Sequence, residues 1–135
     1  VKKPKNIPTL KKELLILISR YVKLKYADET GRTKCFTCGT PIKINTSFCQ
    51  AGHCFSKSGY PALQFNLDNI RCQCDSCNIT LNGNEAEFKK RLMLDIGQEK
   101  YAWLESHKND TVKLDREKMS EQIATYKLLI DDMSN

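Results

Sequence analysis

Apolar residues recur at helical spacing near the start of the chain: Leu10, Leu14, Leu17, Ile18, Tyr21 and Leu24. That period predicts an amphipathic helix over residues 10–26, with Lys11, Lys12, Arg20, Lys23 and Lys25 on its polar face. Thr9, after Pro8, is the expected cap, and residues 1–8, with three lysines and two prolines, read as a basic arm. The pattern changes between residues 35 and 77. Gly39, Pro41, Gly52, Gly59 and Pro61 interrupt it, so short strands fit 42–44 and 47–51 better than helix, and Gly59-Tyr60-Pro61 marks a loop. From Asn78 the chain turns helical again. Phe88, Leu92 and Ile96 share a face, and Gly97 closes that helix. Tyr101, Trp103 and Leu104 make a short third helix. Asp115 caps a last one, whose stripe is Met119, Ile123, Tyr126, Ile130 and Met133. Helices therefore flank a small β-rich centre, an α+β arrangement. The 135 residues suffice for one domain: a basic arm (1–8), a basic helix and loop (9–34), a core (35–96) and C-terminal helices (97–135).

Charge sharpens this picture. Residues 1–34 hold ten Lys or Arg against Glu13, Asp28 and Glu29, a net +7, whereas the rest of the chain sums to −1. A one-sided positive field suits a polyanionic partner, because each cation near a phosphate releases a condensed counterion. DNA is the expected partner. No apolar run approaches the roughly 18 residues of a membrane span, and no signal peptide is evident, so a cytoplasmic setting without a membrane partner is expected.

All seven cysteines fall between residues 35 and 77. Reduced thiols in spaced pairs read first as metal ligands. Cys35-Phe-Thr-Cys38-Gly39 has the form of a zinc knuckle, a tight turn that aims two sulfurs at one ion. Cys74-Asp-Ser-Cys77 supplies the second pair. Cys72 competes for a place, but the two-residue gap of the first knuckle favours Cys74 and Cys77. Cys49 and Cys54 are expected to pack. Four thiolates leave no open position, so this Zn²⁺ would be structural, and any catalyst must lie elsewhere.

His53 is the candidate, at the end of the expected hairpin in Gln50-Ala51-Gly52-His53-Cys54. A histidine has a pKa suited to taking a proton from water near neutral pH. Its surroundings, with Asn69 following and then Cys-x-x-Cys-Asn78 opening a helix, resemble the HNH nuclease motif. That resemblance implies a treble-clef ββα-metal core in which His53 is the general base, Asn69 fixes its ring and Asn78 holds a catalytic Mg²⁺ or Mn²⁺. An amide oxygen is a reasonable ligand for either ion.

More specifically, the chain resembles the NinG/Rap recombination proteins of lambdoid phages, within the HNH and endonuclease-VII-like nucleases. The resemblance runs from about Thr9 to about Met133. It rests on Tyr26-Ala27-Asp28-Glu29-Thr30-Gly31 after the basic helix, Cys35-x-Thr37-Cys38-Gly39, and Gln50-x-Gly52-His53 with Ser56-Lys57. It continues through Ala62-Leu63-x-Phe65-Asn66, Asp68-Asn69, Gln73-Cys74-x-x-Cys77-Asn78, Gly83-Asn84 and Thr125-Tyr126-Lys127. It implies an endonuclease that cuts branched recombination intermediates such as Holliday junctions or D-loops, acting as a homodimer with one site per strand. The sequence departs from the general HNH pattern at Gly52, where many relatives carry a metal-binding Asp, and at Asn78, where many have His. Asn84, Glu85 or Glu87 are the candidates for the ligand thus missing. Lys57, Arg71, Lys89, Lys90 and Arg91 are candidate phosphate contacts, and Tyr60 a candidate base-stacking residue. The competing function is a non-catalytic, zinc-stabilised DNA-binding module.

Overall fold

The computed structural model describes residues 3–134. Its elements run α1 (Ile7–Tyr26), β1 (Arg32–Lys34), β2 (Pro41–Lys43), β3 (Cys49–His53), β4 (Ile70–Cys74), α2 (Glu85–Ile96), α3 (Gln98–His107) and α4 (Arg116–Ser134). Two antiparallel pairs, β1–β2 and β3–β4, form two separate small sheets. The chain is thus a mixed α+β domain. None of its described helices is long and apolar enough to cross a membrane.

The first helix starts earlier than its apolar period suggests. Asn6, not Thr9, is the cap: its side-chain oxygen accepts the Thr9 N–H at 2.9 Å. Pro8 falls in the first turn, where a missing N–H costs nothing. The basic arm accordingly shrinks, because Ile7 and Pro8 are already helical. Leu10, Leu14, Ile18 and Val22 form the buried stripe of α1. On α4 the buried residues are Met119, Ile123 and Ile130. Asp115 caps α4 as expected, accepting the Lys118 N–H at 3.1 Å. The two stripes meet, with the Tyr21 and Tyr126 rings edge to face at 5.4 Å. Full burial of side chains the size of Leu14 or Ile18 contributes about 1.5–3 kcal/mol each. The buried stripes cover each other within one chain, so they are not available as a dimer interface.

A second cluster joins Phe55 and Leu63, from the segment after β3, to Phe88 and Leu92 of α2 and Tyr101 and Leu104 of α3. Arg71 ties the two regions together. Its guanidinium is buried and pairs with Asp95 of α2 at 3.0 Å. It donates to the Leu67 and Ile70 carbonyls at 2.9 and 2.7 Å and lies over the Tyr26 and Phe36 rings. Arg71 is therefore a structural clasp, not the phosphate contact the sequence suggests. The segment at Asn78 also differs from expectation. It is a single π-helical turn, Ser76–Thr80, and the regular helix begins only at Glu85.

Candidate functional site

The sulfurs of Cys35, Cys38, Cys74 and Cys77 all lie within 4.8 Å of one another, the one such metal-binding group among the described residues. A tetrahedron with Zn–S bonds of about 2.3 Å has edges of roughly 3.8 Å. The Cys38 and Cys74 sulfurs stand 3.7 Å apart. The cluster thus matches structural zinc in donor chemistry and spacing, with the register chosen from the two Cys-x-x-Cys pairs. Cys72 points instead toward the Val22 carbonyl and packs in the core with Cys49.

The local sequence builds this centre. The Gly39 N–H bonds back to the Cys35 carbonyl at 2.9 Å, and Gly39 sits at φ +80°, a conformation most side chains avoid. Each sulfur also has a polar neighbour. The Thr37 hydroxyl lies 3.4 Å from Cys35 and the Thr40 hydroxyl 3.1 Å from Cys38. The Cys77 N–H donates to Cys74 at 3.4 Å, and the Asn84 amide donates to Cys77 at 3.8 Å. Such outer contacts orient thiolate ligands and spread their charge. Burial raises the Cys35 thiol, but Thr37 and three backbone N–H groups outweigh it and bring the pKa down to about 6. Burial pushes Cys74 up to about 12. A bound cation would favour the thiolate form of all four and displace their remaining protons to solvent.

His53 ends β3, opposite Ile70. Its Nε2 is 2.9 Å from the Gln64 carbonyl. A carbonyl only accepts, so Nε2 carries the proton and Nδ1 keeps the lone pair. Burial lowers the pKa of His53; the Gln64 carbonyl opposes this, and the nearby Lys57 charge adds to the lowering. The ring is held neutral, in one tautomer, with a free basic nitrogen.

Asn69 does not perform the role the motif implies. Its side chain is fully buried and reaches the backbone of the segment after β3 rather than the imidazole. Its oxygen accepts the Phe55 N–H at 2.8 Å, and its nitrogen donates to the Phe55 and Leu63 carbonyls at 3.0 and 3.1 Å. Asn69 thus shapes the loop that carries Gln64, and Gln64 fixes the ring.

Asn78 and His53 do share a cleft, of about 340 Å³, whose wall also includes Gln50, Lys23 and Lys57. The Asn78 amide donates to Gln50 Oε1 at 3.1 Å, and Gln50 Nε2 donates to the Ser47 carbonyl at 3.1 Å. That chain fixes the Asn78 amide so that its oxygen remains available. Gln50 was legible only as part of the resemblance, with no role attached.

The remaining expected ligands lie elsewhere. Asn84 faces Cys77 of the sulfur cluster. Glu87 pairs with Arg91 at 2.7 Å on the outer face of α2. Glu85 pairs with Lys89 at 2.7 Å, bordering a different cleft that His53 shares with Tyr60. Tyr60 itself packs edge to face on Phe55. At Gly52 a Cβ would collide with Gln73, whose buried amide passes directly over the glycine. Gln73 is held there by donating to Thr37 Oγ1 and the Gly83 carbonyl, at 3.1 and 2.8 Å. The place where the HNH pattern has Asp is thus filled by an amide. Among the described residues, no carboxylate lines the His53–Asn78 cleft. Mg²⁺ and Mn²⁺ prefer carboxylate oxygen. One free amide oxygen beside two lysines does not make a protein-held site for them, and the expected ligand set of Asn78, Asn84 and Glu87 is not assembled.

Fold and site together define a small α+β domain with a four-cysteine cluster able to hold a metal ion and a histidine in an adjoining basic cleft. The profile of the family described as "Bacteriophage Lambda NinG protein" matches residues 2–135. The chain belongs to the NinG family. It is 36% identical to protein ninG of Escherichia phage lambda over 75 residues, which is 56% of this chain and 35% of that protein. It is 35% identical over 75 residues to protein ninG of Escherichia phage 933W and of Enterobacteria phage VT2-Sa, again 56% of this chain and 36% of each relative. The aligned region thus spans about a third of the length of these curated relatives. No solved structure matches the chain.

Proposed function

We propose that this domain is a DNA endonuclease of the HNH type, acting on branched recombination intermediates, with His53 as its general base. The observation that carries this is the state of His53. It is neutral, fixed by Gln64, and set in a cleft with Asn78, Lys23 and Lys57. Nδ1 takes a proton from water as the oxygen attacks the phosphorus of a phosphodiester. Lys23 and Lys57 bring positive charge to the phosphate oxygens, and the leaving sugar oxygen departs with a proton from solvent. The zinc centre holds β4 and the turn bearing Asn78 against the knuckle and takes no part in the reaction. A divalent cation, were one to act here, would supply Lewis-acid stabilisation of the phosphate. Its negative ligands must come from the substrate itself, so no step is assigned to it.

The preference for branched DNA rests on the NinG resemblance alone, as does the homodimer, whose one remaining argument is the two-fold symmetry of a four-way junction. Light scattering with and without junction DNA tests it. The missing carboxylate favours a second reading, a zinc-stabilised DNA-binding module that does not cut. The deciding experiment incubates the purified chain with linear, forked and four-way DNA, with Mg²⁺, with Mn²⁺ and with neither. Cleavage of branched DNA that is lost in His53→Ala supports the nuclease. Tight binding without cleavage under every condition supports the binding module.

A further inference from the structure

We infer that the groove along the outer face of α1 is a binding track for a single, unpaired nucleic-acid strand, leading into the His53 cleft. The direction toward His53 rests on the nuclease reading; the binding itself does not. The groove has a volume of about 990 Å³ and lies between α1 and the turn that follows β2. Five cations line it, Lys11, Lys12, Arg20 and Lys23 of α1 and Lys57, and no acidic residue does. Among the described residues none of the five is ion-paired, whereas Lys89 and Arg91 of α2, also proposed from sequence as phosphate contacts, are engaged by Glu85 and Glu87. Unpaired cations on one wall are held apart against their mutual repulsion, and a polyanion relieves it.

The groove is continuous with the catalytic cleft. Lys23, Lys57, Leu15, Ser19 and Thr46 line both. From Lys11 to Lys23 the helix rises roughly 18 Å, several nucleotides of strand. The floor distinguishes an unpaired strand from a duplex. Leu15, Ile16, Leu24 and Ile44 lie among the cations, and Ile16 is 58% exposed. A duplex presents only sugars and phosphates to such a wall. An unpaired strand lays its phosphates on the lysines and its bases on the apolar floor.

The test uses His53→Ala protein in EDTA-free buffer without divalent ions, so that binding is read apart from cutting. Fluorescence anisotropy follows a fluorescein-labelled thirty-nucleotide oligo-dT and a duplex of equal length, from 50 to 300 mM salt. The triple change Lys11→Gln, Lys12→Gln, Arg20→Gln is compared with a charge-matched control, Lys100→Gln, Lys113→Gln, Lys118→Gln, both verified by circular dichroism and zinc content. Three lost phosphate contacts lower the log–log salt slope by about 2 and the affinity at 0.1 M salt by roughly a hundredfold. The control changes either by much less. Ile16→Ser weakens oligo-dT binding about fivefold without changing the slope. Equal loss in the triple variant and the control overturns the groove. Duplex binding as tight as oligo-dT, with Ile16→Ser silent, overturns the unpaired strand. The same changes are then placed in the otherwise unmodified chain. Groove variants that lose binding while that chain cuts nothing leave the track standing and sink the nuclease. Unimpaired cleavage by the triple variant does the reverse.

Discussion

Replacing Asn69 should damage this domain in a way that depends on pH. The side chain is fully buried and satisfies the Phe55 N–H, the Phe55 carbonyl and one lone pair of the Leu63 carbonyl. The Leu63 carbonyl also accepts the Asn66 N–H at 3.2 Å, so it is not orphaned when the amide goes. Two buried backbone groups remain, at about 1–3 kcal/mol each, so Asn69→Ala should cost about 3–5 kcal/mol with its small cavity. Asn69→Asp is the sharper probe because it preserves shape. One carboxylate oxygen still accepts from Phe55, but the other faces two carbonyls that need a donor. Only the protonated acid donates, so the introduced carboxyl has its pKa raised in the folded state. The penalty relative to the unsubstituted chain therefore grows as pH rises from the unfolded carboxyl range up to the raised pKa of the folded state, and shrinks as pH falls. Urea unfolding at pH 8 and pH 6, in excess zinc and always as the difference from the unsubstituted chain, reads this directly. Equal stability of Asn69→Asp at pH 8, or a penalty that grows toward low pH, would refute the assignment. So would a cleavage defect in Asn69→Asp without any loss of stability, since that requires contact with the reaction itself.

Elemental analysis should find one zinc per chain; Cys35→Ser or Cys77→Ser should lose it together with the fold, while Cys72→Ser keeps it. His53→Ala should lower cleavage of branched DNA by about 10²–10⁴ with zinc content and DNA affinity unchanged; a rate within threefold removes His53 from the mechanism. Protonated His53 accepts no proton, so kcat at saturating DNA should fall as pH drops through a pKa held below about 6.5 by burial. Lys57→Gln removes a charge that lowers that pKa and should move the acid limb upward; a limb that stays in place shows that Lys57 does not act on His53.

Much of the frame could be read from periodicity, because α1, α2 and α4 bury one stripe each and their apolar residues repeat accordingly. The cysteine pairs carried their own geometry in their spacing. What stayed hidden has a common cause. Gln64, Gln73, Asn69 and Arg71 are polar residues buried by contacts distant in sequence, and no local pattern marks a polar side chain as interior. β4 is buried throughout, so Ile70–Cys74 lacks the alternation that announces a strand. Asn84 and Glu87 were drawn toward the histidine by proximity in sequence, whereas the π-helical turn at Ser76–Thr80 directs them to the sulfurs and to solvent. The cations of α1 were visible, but the groove they line needs the turn after β2, which joins them only in the fold.

The sulfur cluster joins residues 35–38 to residues 74–77, and Cys38 and Cys74 are 36 positions apart. The strands and the loop that hold the His53 ring, from β3 through the Asn69-bound segment to β4, lie inside that closed ring. Withdrawing the ion reopens the ring and returns its closure entropy to the chain. On the nuclease reading, a chelator would act on this domain on two clocks. A cation held through the substrate would exchange within the mixing time, so its removal would silence cleavage at once, and added Mg²⁺ would restore it as quickly. Stripping an ion from four thiolates, three of them buried, would be slower, and the loss that follows is one of shape, beyond recovery by Mg²⁺. The lag before inactivation, more than inactivation itself, tells which ion was taken.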